Sequence, residues 1–177
     1  SDTFRDVPGL KIGLPKVSQT HMEDAKALAA VAKELVDACR AKAGAPRVKG
    51  AFCVCICTPA APRAASLFAA VCRSSKAAKF FGRHRKTVEE QTAFLVANEV
   101  DVIVGPPSRL ARLDPLQLDA LRYILVDCTP DEKGMTVFTA PSKKMAGRRP
   151  DTEEMAAMLN SPAFEAAAQR VRPSCGV

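Results

Sequence analysis

The sequence has no tryptophan, one tyrosine and only 5% aromatic residues. An RNA-binding surface built mainly on stacked aromatic side chains is therefore not expected. No apolar run approaches the ~20 residues that a membrane-crossing helix requires. The longest candidate, residues 51–61, stops well short and ends against Pro62. No signal peptide is visible either, because the opening Ser1-Asp2-Thr3-Phe4-Arg5-Asp6 is polar and charged. A soluble, intracellular protein is expected, and the absence of an initial Met suggests that tails or a targeting segment were trimmed. A phosphate loop of the form Gly-x-x-x-x-Gly-Lys-Ser/Thr is missing as well. The nearest stretch, Gly9-Leu10-Lys11-Ile12-Gly13-Leu14-Pro15-Lys16, has the wrong spacing and a proline where a helix should begin. Neither G-x-G-x-x-G nor G-x-S-x-G occurs, so ATP hydrolysis would have no visible phosphate cradle. Histidine is nearly absent: His21 opens an amphipathic stretch, and His84 lies within Arg83-His84-Arg85-Lys86, where neighbouring cations discourage its protonation.

What is present fits one globular domain of 177 residues, with 47% hydrophobic and 25% charged residues. A formal charge of +7 favours a polyanionic partner or simple solubility. The basic residues fall in two clusters: Lys76, Lys79, Arg83, Arg85 and Lys86, then Lys143, Lys144, Arg148 and Arg149. Such clusters can grip phosphates through charge without reading bases; alone, each is equally a solvated face. Among the seven cysteines, Cys53-x-Cys55-x-Cys57 has period two, which places all three on one face of a strand. Parallel thiolates do not converge on zinc, and no finger-spaced His follows, so no metal is expected. Their reading is that of small buried hydrophobes, reduced rather than disulfide-bonded.

The periodicities alternate. Residues 1–19 read as an extended arm. A capping box at Thr20-x-x-Glu23 opens a helix whose apolar face runs through Leu28, Ala32, Leu35, Val36 and Cys39, closing at Gly44 and Pro46. Residues 48–57 are a continuous apolar run, the pattern of a strand covered on both faces. A helix over 62–73, a short strand at 79–81 and a second capping box at Thr87-x-x-Glu90 with a helix to about residue 98 come next. Then follow a strand over 101–105, a short helix over 107–113 and a strand over 122–127. The stretch 130–150 is loop-rich with a candidate strand at 136–139. Two helices close the chain over 151–177, one beginning near Asp151 or Thr152, the other capped by Ser161 with Pro162 at its first position. Strands alternating with helices predict an α/β fold: a parallel sheet sandwiched by helices, in a single domain over 1–177.

Three landmarks then stand in order. They are Ala78-Lys79-Phe80-Phe81-Gly82-Arg83-His84-Arg85-Lys86-Thr87-Val88-Glu89-Glu90-Gln91, then Asp101-Val102-Ile103-Val104-Gly105-Pro106-Pro107-Ser108-Arg109-Leu110, then Leu116-Gln117-Leu118-Asp119-Ala120-Leu121-Arg122-Tyr123-Ile124-Leu125-Val126-Asp127. Over about residues 50–135 they resemble the first RecA-like domain of DEAD-box RNA helicases, and more closely the Cms-one family. These are degenerate DEAD-box-like proteins found with the early small-subunit pre-ribosome in the nucleolus. The resemblance implies a RecA-like, P-loop-NTPase-like domain lacking the phosphate loop. Asp127 matches the first residue of the Asp-Glu-Ala-Asp box, but Cys128-Thr129-Pro130 replaces the rest, removing the Glu that polarises the attacking water. No Ser-Ala-Thr follows; Phe138-Thr139-Ala140 is a faint echo. The resemblance therefore implies a protein that is not an enzyme and takes no cofactor, with Asp127 as a strand-end residue rather than a metal ligand.

The same resemblance implies RNA-backbone contacts. Pro107 and Arg109 match the Pro and Arg of the helicase motif Thr-Pro-Gly-Arg, with Pro106 and Ser108 in place of its Thr and Gly. Thr58, Pro59 and Arg63 occupy the region of Pro-Thr-Arg-Glu-Leu-Ala, and Gly82 lies near the helicase Gly-Gly turn, beside Arg83, His84, Arg85 and Lys86. The implied partners are pre-rRNA or its guide RNAs and other pre-ribosomal assembly factors, in the nucleolus. Two other functions compete: a protein-docking module with no RNA contact, and a cryptic nucleotide hydrolase or cysteine-dependent enzyme using Cys128.

Overall fold

A computed structural model describes residues 25–43, 48–58, 61–81, 87–127, 129, 156–161 and 164. The expected N-terminal arm, the 20–23 cap, the 136–139 strand and most of the two C-terminal helices lie outside these residues, as do Gly82, Arg83, His84, Arg85, Lys86 and Cys128. The elements in chain order are α1 (Ala25–Ala43), β1 (Val54–Cys57), α2 (Ala61–Val71), β2 (Ala77–Lys79), α3 (Val88–Ala97), β3 (Val102–Gly105), α4 (Pro107–Leu110), a 3-10 turn (Pro115–Leu118) and β4 (Tyr123–Val126). The four strands form one all-parallel sheet in the order β2-β3-β1-β4. In register, Cys57 faces Gly105 on one side and Val126 on the other.

β1 is central, and its Val-Cys-Ile-Cys is buried throughout because both faces of the sheet are covered. On one face, Val54, Ile56, Val102, Val104 and Leu125 pack against Leu28, Ala29, Ala32 and Val36 of α1 and Ala64, Leu67 and Val71 of α2. On the other, Cys55, Cys57, Ile103, Ile124 and Val126 meet Val88 and Leu95 of α3, Leu110 of α4, Leu118, and Met158, Leu159 and Phe164. This split follows from topology. The β1-to-β2 crossover runs one way along the sheet, whereas β2-to-β3 and β3-to-β4 run back. A uniform right-handed crossover then puts α2 on one face and α3 and α4 on the other.

Several boundaries differ from the sequence expectation. The strand predicted over 48–57 begins only at Val54, because residues 49–50 form a turn in which Gly50 takes φ +82° and donates to the Asn98 carbonyl. Cys53 consequently precedes the ladder. It packs beside the α1–α2 face while Cys55 and Cys57 point to the other, so the three cysteines do not share a face. β2 lies at Ala77–Lys79, two residues earlier than expected: Ala77 and Ala78 are weak strand formers, but pairing with Val102 and Ile103 recruits them. The helix expected over 107–113 ends at Leu110.

The N-terminal edge of the sheet is held by Asp101, which is buried. Its carboxylate accepts from Arg40 of α1 and from the Lys76 amide, and its carbonyl accepts from the Cys53 and Val54 amides. Lys76 is thus placed at the amino edge of the sheet, where it pairs with Glu99. At the other edge α3 starts on the capping box read from the sequence: the Thr87 hydroxyl accepts from the Glu90 amide and the Glu90 carboxylate from the Thr87 amide. Thr87→Ala should lower stability by about 1 kcal/mol in urea denaturation. Glu89 in the same turn is held below the usual carboxylate range, chiefly by its backbone hydrogen bond and then by Thr87. Its small stabilising contribution is therefore present at neutral pH and lost as pH falls through that lowered value.

Candidate functional site at the carboxyl edge of the sheet

Ligands of open parallel sheets bind outside the carboxyl ends of the strands, and that edge is where the polar side chains converge here. Beyond β1, the Thr58 amide continues the ladder to the Gly105 carbonyl at 3.1 Å; beyond β4, the Asp127 amide reaches the Cys57 carbonyl at 2.8 Å. These two extra rungs set Thr58 and Asp127 side by side, and the Thr58 hydroxyl donates to Asp127 Oδ2 at 3.0 Å. Both residues are fully buried. Arg63, in the first turn of α2, brings Nε to the same Oδ2 at 3.0 Å and Nη2 to Thr129 Oγ1 at 3.1 Å. The Thr129 amide donates to Asp127 Oδ1 at 3.2 Å. Both carboxylate oxygens are thus engaged, and the charge is met by the guanidinium of Arg63, whose side chain is only 18% exposed.

A second network lies at the ends of β2 and β3. Gln91, on the inward face of α3 with Val88 and Leu95, is 3% exposed. Its Nε2 donates to the Phe81 carbonyl at 3.1 Å and its Oε1 accepts from Arg109 Nη1 at 2.9 Å. One buried amide thereby fastens the exit of β2 to α4. Phe81 also stacks edge-on with Phe68 of α2, ring centroids 6.0 Å apart. Arg109 is half-buried, Ser108 exposed and Pro107 buried as the first residue of α4.

The structure therefore joins Thr58, Arg63 and Asp127 in one cluster and puts Pro107, Ser108 and Arg109 along the same edge. Gly82, Arg83, His84, Arg85, Lys86 and Cys128 lie outside the described residues. Two participants escaped sequence reasoning. Gln91 carried a signal, a polar side chain in the apolar repeat Val88–Gln91–Leu95. Thr129 carried none, since its role depends on where Arg63 comes from. Chemically the Thr58–Asp127 pair resembles a hydroxyl beside a base, but Thr58 is fully buried and the carboxylate is ion-paired with Arg63. Among the described residues there is no group of three His, Cys, Asp or Glu able to hold a metal, and no helix long and apolar enough to cross a membrane. Compared with known protein families, curated proteins and solved structures, the chain matches none.

Proposed function

We propose that this chain is a non-catalytic RecA-like domain that contacts RNA backbone as an assembly factor of the small ribosomal subunit. The carrying observation is the common edge: Arg63, Ser108 and Arg109 stand at the carboxyl ends of the strands, and Phe81 and Thr87 at that edge are joined by the segment bearing Arg83, His84, Arg85 and Lys86. Cations along one sheet edge supply phosphate contacts without base readout. The ribosomal assignment, the nucleolar location and the pre-rRNA and assembly-factor partners follow from the resemblance to the Cms-one family. Binding of this kind needs no turnover, which agrees with a sequence lacking both the phosphate loop and the catalytic Glu.

One observation favours the protein-docking alternative: Arg63 and Arg109 both spend donors on internal partners, Asp127 and Gln91. The test must then spare Arg63, whose loss damages the fold. Arg83, Arg85 and Lys86 changed together to Glu should weaken RNA binding. The slope of log affinity against log salt should flatten by about 0.7 for each phosphate that is no longer neutralised. Ultraviolet crosslinking of the tagged protein in cells, with sequencing of attached RNA, should place reads in pre-rRNA or its guide RNAs. Background crosslinking from protein that still sediments in large particles would replace the RNA reading with protein docking.

A further inference from the structure

Away from the carboxyl edge, two thiols meet at the amino edge of the sheet. Cys39 lies near the end of α1, and the next residue, Arg40, reaches Asp101 Oδ2. Cys53 immediately precedes β1, and its sulfur sits 3.5 Å from the carbonyl of the same Asp101. Asp101 thus draws the end of α1 and the strand entrance to one point. Cys39 lies one turn beyond Leu35 and Val36, on the stripe of α1 that packs in the same cluster as Cys53, which brings the two thiols together. Both are half-buried, whereas Cys55 and Cys57 are sealed in the core. Cys72, just past the end of α2, is exposed.

We infer that Cys39 and Cys53 form a redox-active dithiol that hydrogen peroxide converts to a disulfide, stapling α1 to the entrance of β1. The single proton of Cys53 has two acceptors within reach, the Cys39 sulfur and the Asp101 carbonyl. That hydrogen bond with Cys39 first, then burial, holds the Cys53 thiol above the usual range. Cys53, its proton so held, is the resolving thiol, and the attacking one is Cys39. Its thiolate attacks one peroxide oxygen and the O–O bond breaks; the departing hydroxide takes a proton and leaves as water, with a sulfenic acid on Cys39. The Cys53 sulfur then attacks the Cys39 sulfur, the S–O bond breaks, and the second water carries away the sulfenic oxygen with the Cys53 proton. Two thiols lose two electrons in total and the peroxide is reduced to two waters.

The experiment treats the full reduced chain with graded hydrogen peroxide and maps peptides without reduction. The expected result is a Cys39–Cys53 crosslinked peptide, lighter by two hydrogen atoms than its reduced pair. It forms in the wild type and in Cys72→Ser, reverts with dithiothreitol, and is lost in Cys39→Ser and in Cys53→Ser. Because the wild type alone gives the primary readout, a poorly folding variant does not obscure it. Cys39 and Cys53 remaining reduced while Cys72 oxidises would overturn the inference, and so would either thiol pairing preferentially with another cysteine.

Discussion

Arg63→Met should cost the protein about 3–5 kcal/mol, because it strands the Asp127 carboxylate in a fully buried position without its counter-ion. The Thr58 hydroxyl and the Thr129 amide would still donate to that carboxylate, yet neither carries charge. A loss of this size is a large part of the roughly 5–15 kcal/mol that holds a typical domain together. Urea denaturation would show it as a lowered midpoint with an unchanged slope. Adding Asp127→Asn should recover much of the loss, since the neutral amide oxygen still accepts from Thr58 while the stranded charge is gone. The double-mutant cycle then measures the coupling directly. A loss for Arg63→Met below about 0.5 kcal/mol, the level of an ordinary surface substitution, would show that the pair is not what holds this corner. The result also bears on function: a reduced RNA affinity in any Arg63 variant is interpretable only beside its stability, which is why the cations between Phe81 and Thr87 make the cleaner test.

Gly105→Ala should be nearly as damaging, at about 1–3 kcal/mol, for a reason of space rather than of dihedral angle. An added Cβ would sit 2.8 Å from both the Cβ and the carbonyl oxygen of Phe80, with the Phe80 carbonyl carbon at 3.2 Å. These are atoms that no rotamer change can move. Relief requires β2 to draw away from β3, against the 2.7 Å bond from the Phe80 amide to the Val104 carbonyl. Shortening Phe80 to Ala would not relieve the clash, because alanine keeps the Cβ and carbonyl that cause it. Thermal denaturation gives the stability loss, and amide exchange should locate it: faster exchange at Phe80 with the β1–β4 pairing retained. Uniform loss of protection across the sheet, or none, would contradict the local account. Because Phe81 follows directly and anchors to Gln91, the same displacement should loosen the Gln91–Arg109 network at the candidate site.

These expectations show how unevenly the sequence discloses the molecule. The apolar stretches that became β1, β3 and β4 were legible because a buried parallel strand must be apolar on both faces, a property each segment carries alone. The α3 capping box was legible for the same reason, since Thr87 and Glu90 satisfy each other within one turn. The cysteine triplet misled because period two holds only while the ladder continues, and the Gly50 turn delays the ladder to Val54. The start of β2 was illegible in Ala77 and Ala78, whose strand character is conferred by Val102 and Ile103. At the candidate edge, Thr58, Arg63, Arg109 and Asp127 could be singled out, but not their partners.

By itself, then, the sequence determined the alternation of helices and strands, the parallel sheet covered on both faces and the cap of α3. These follow from local hydrogen bonding and from the periodicity of burial. Only the tertiary structure decided the strand order β2-β3-β1-β4, the Arg63–Asp127 and Gln91–Arg109 partnerships, the close approach of Gly105 to Phe80 and the meeting of α1 with the Cys53 strand entrance at Asp101. The physical reason is common to all of them. A buried polar group must find a partner, but it can be satisfied by any segment the sheet brings alongside, and that choice is made by register and crossover between segments distant in the chain.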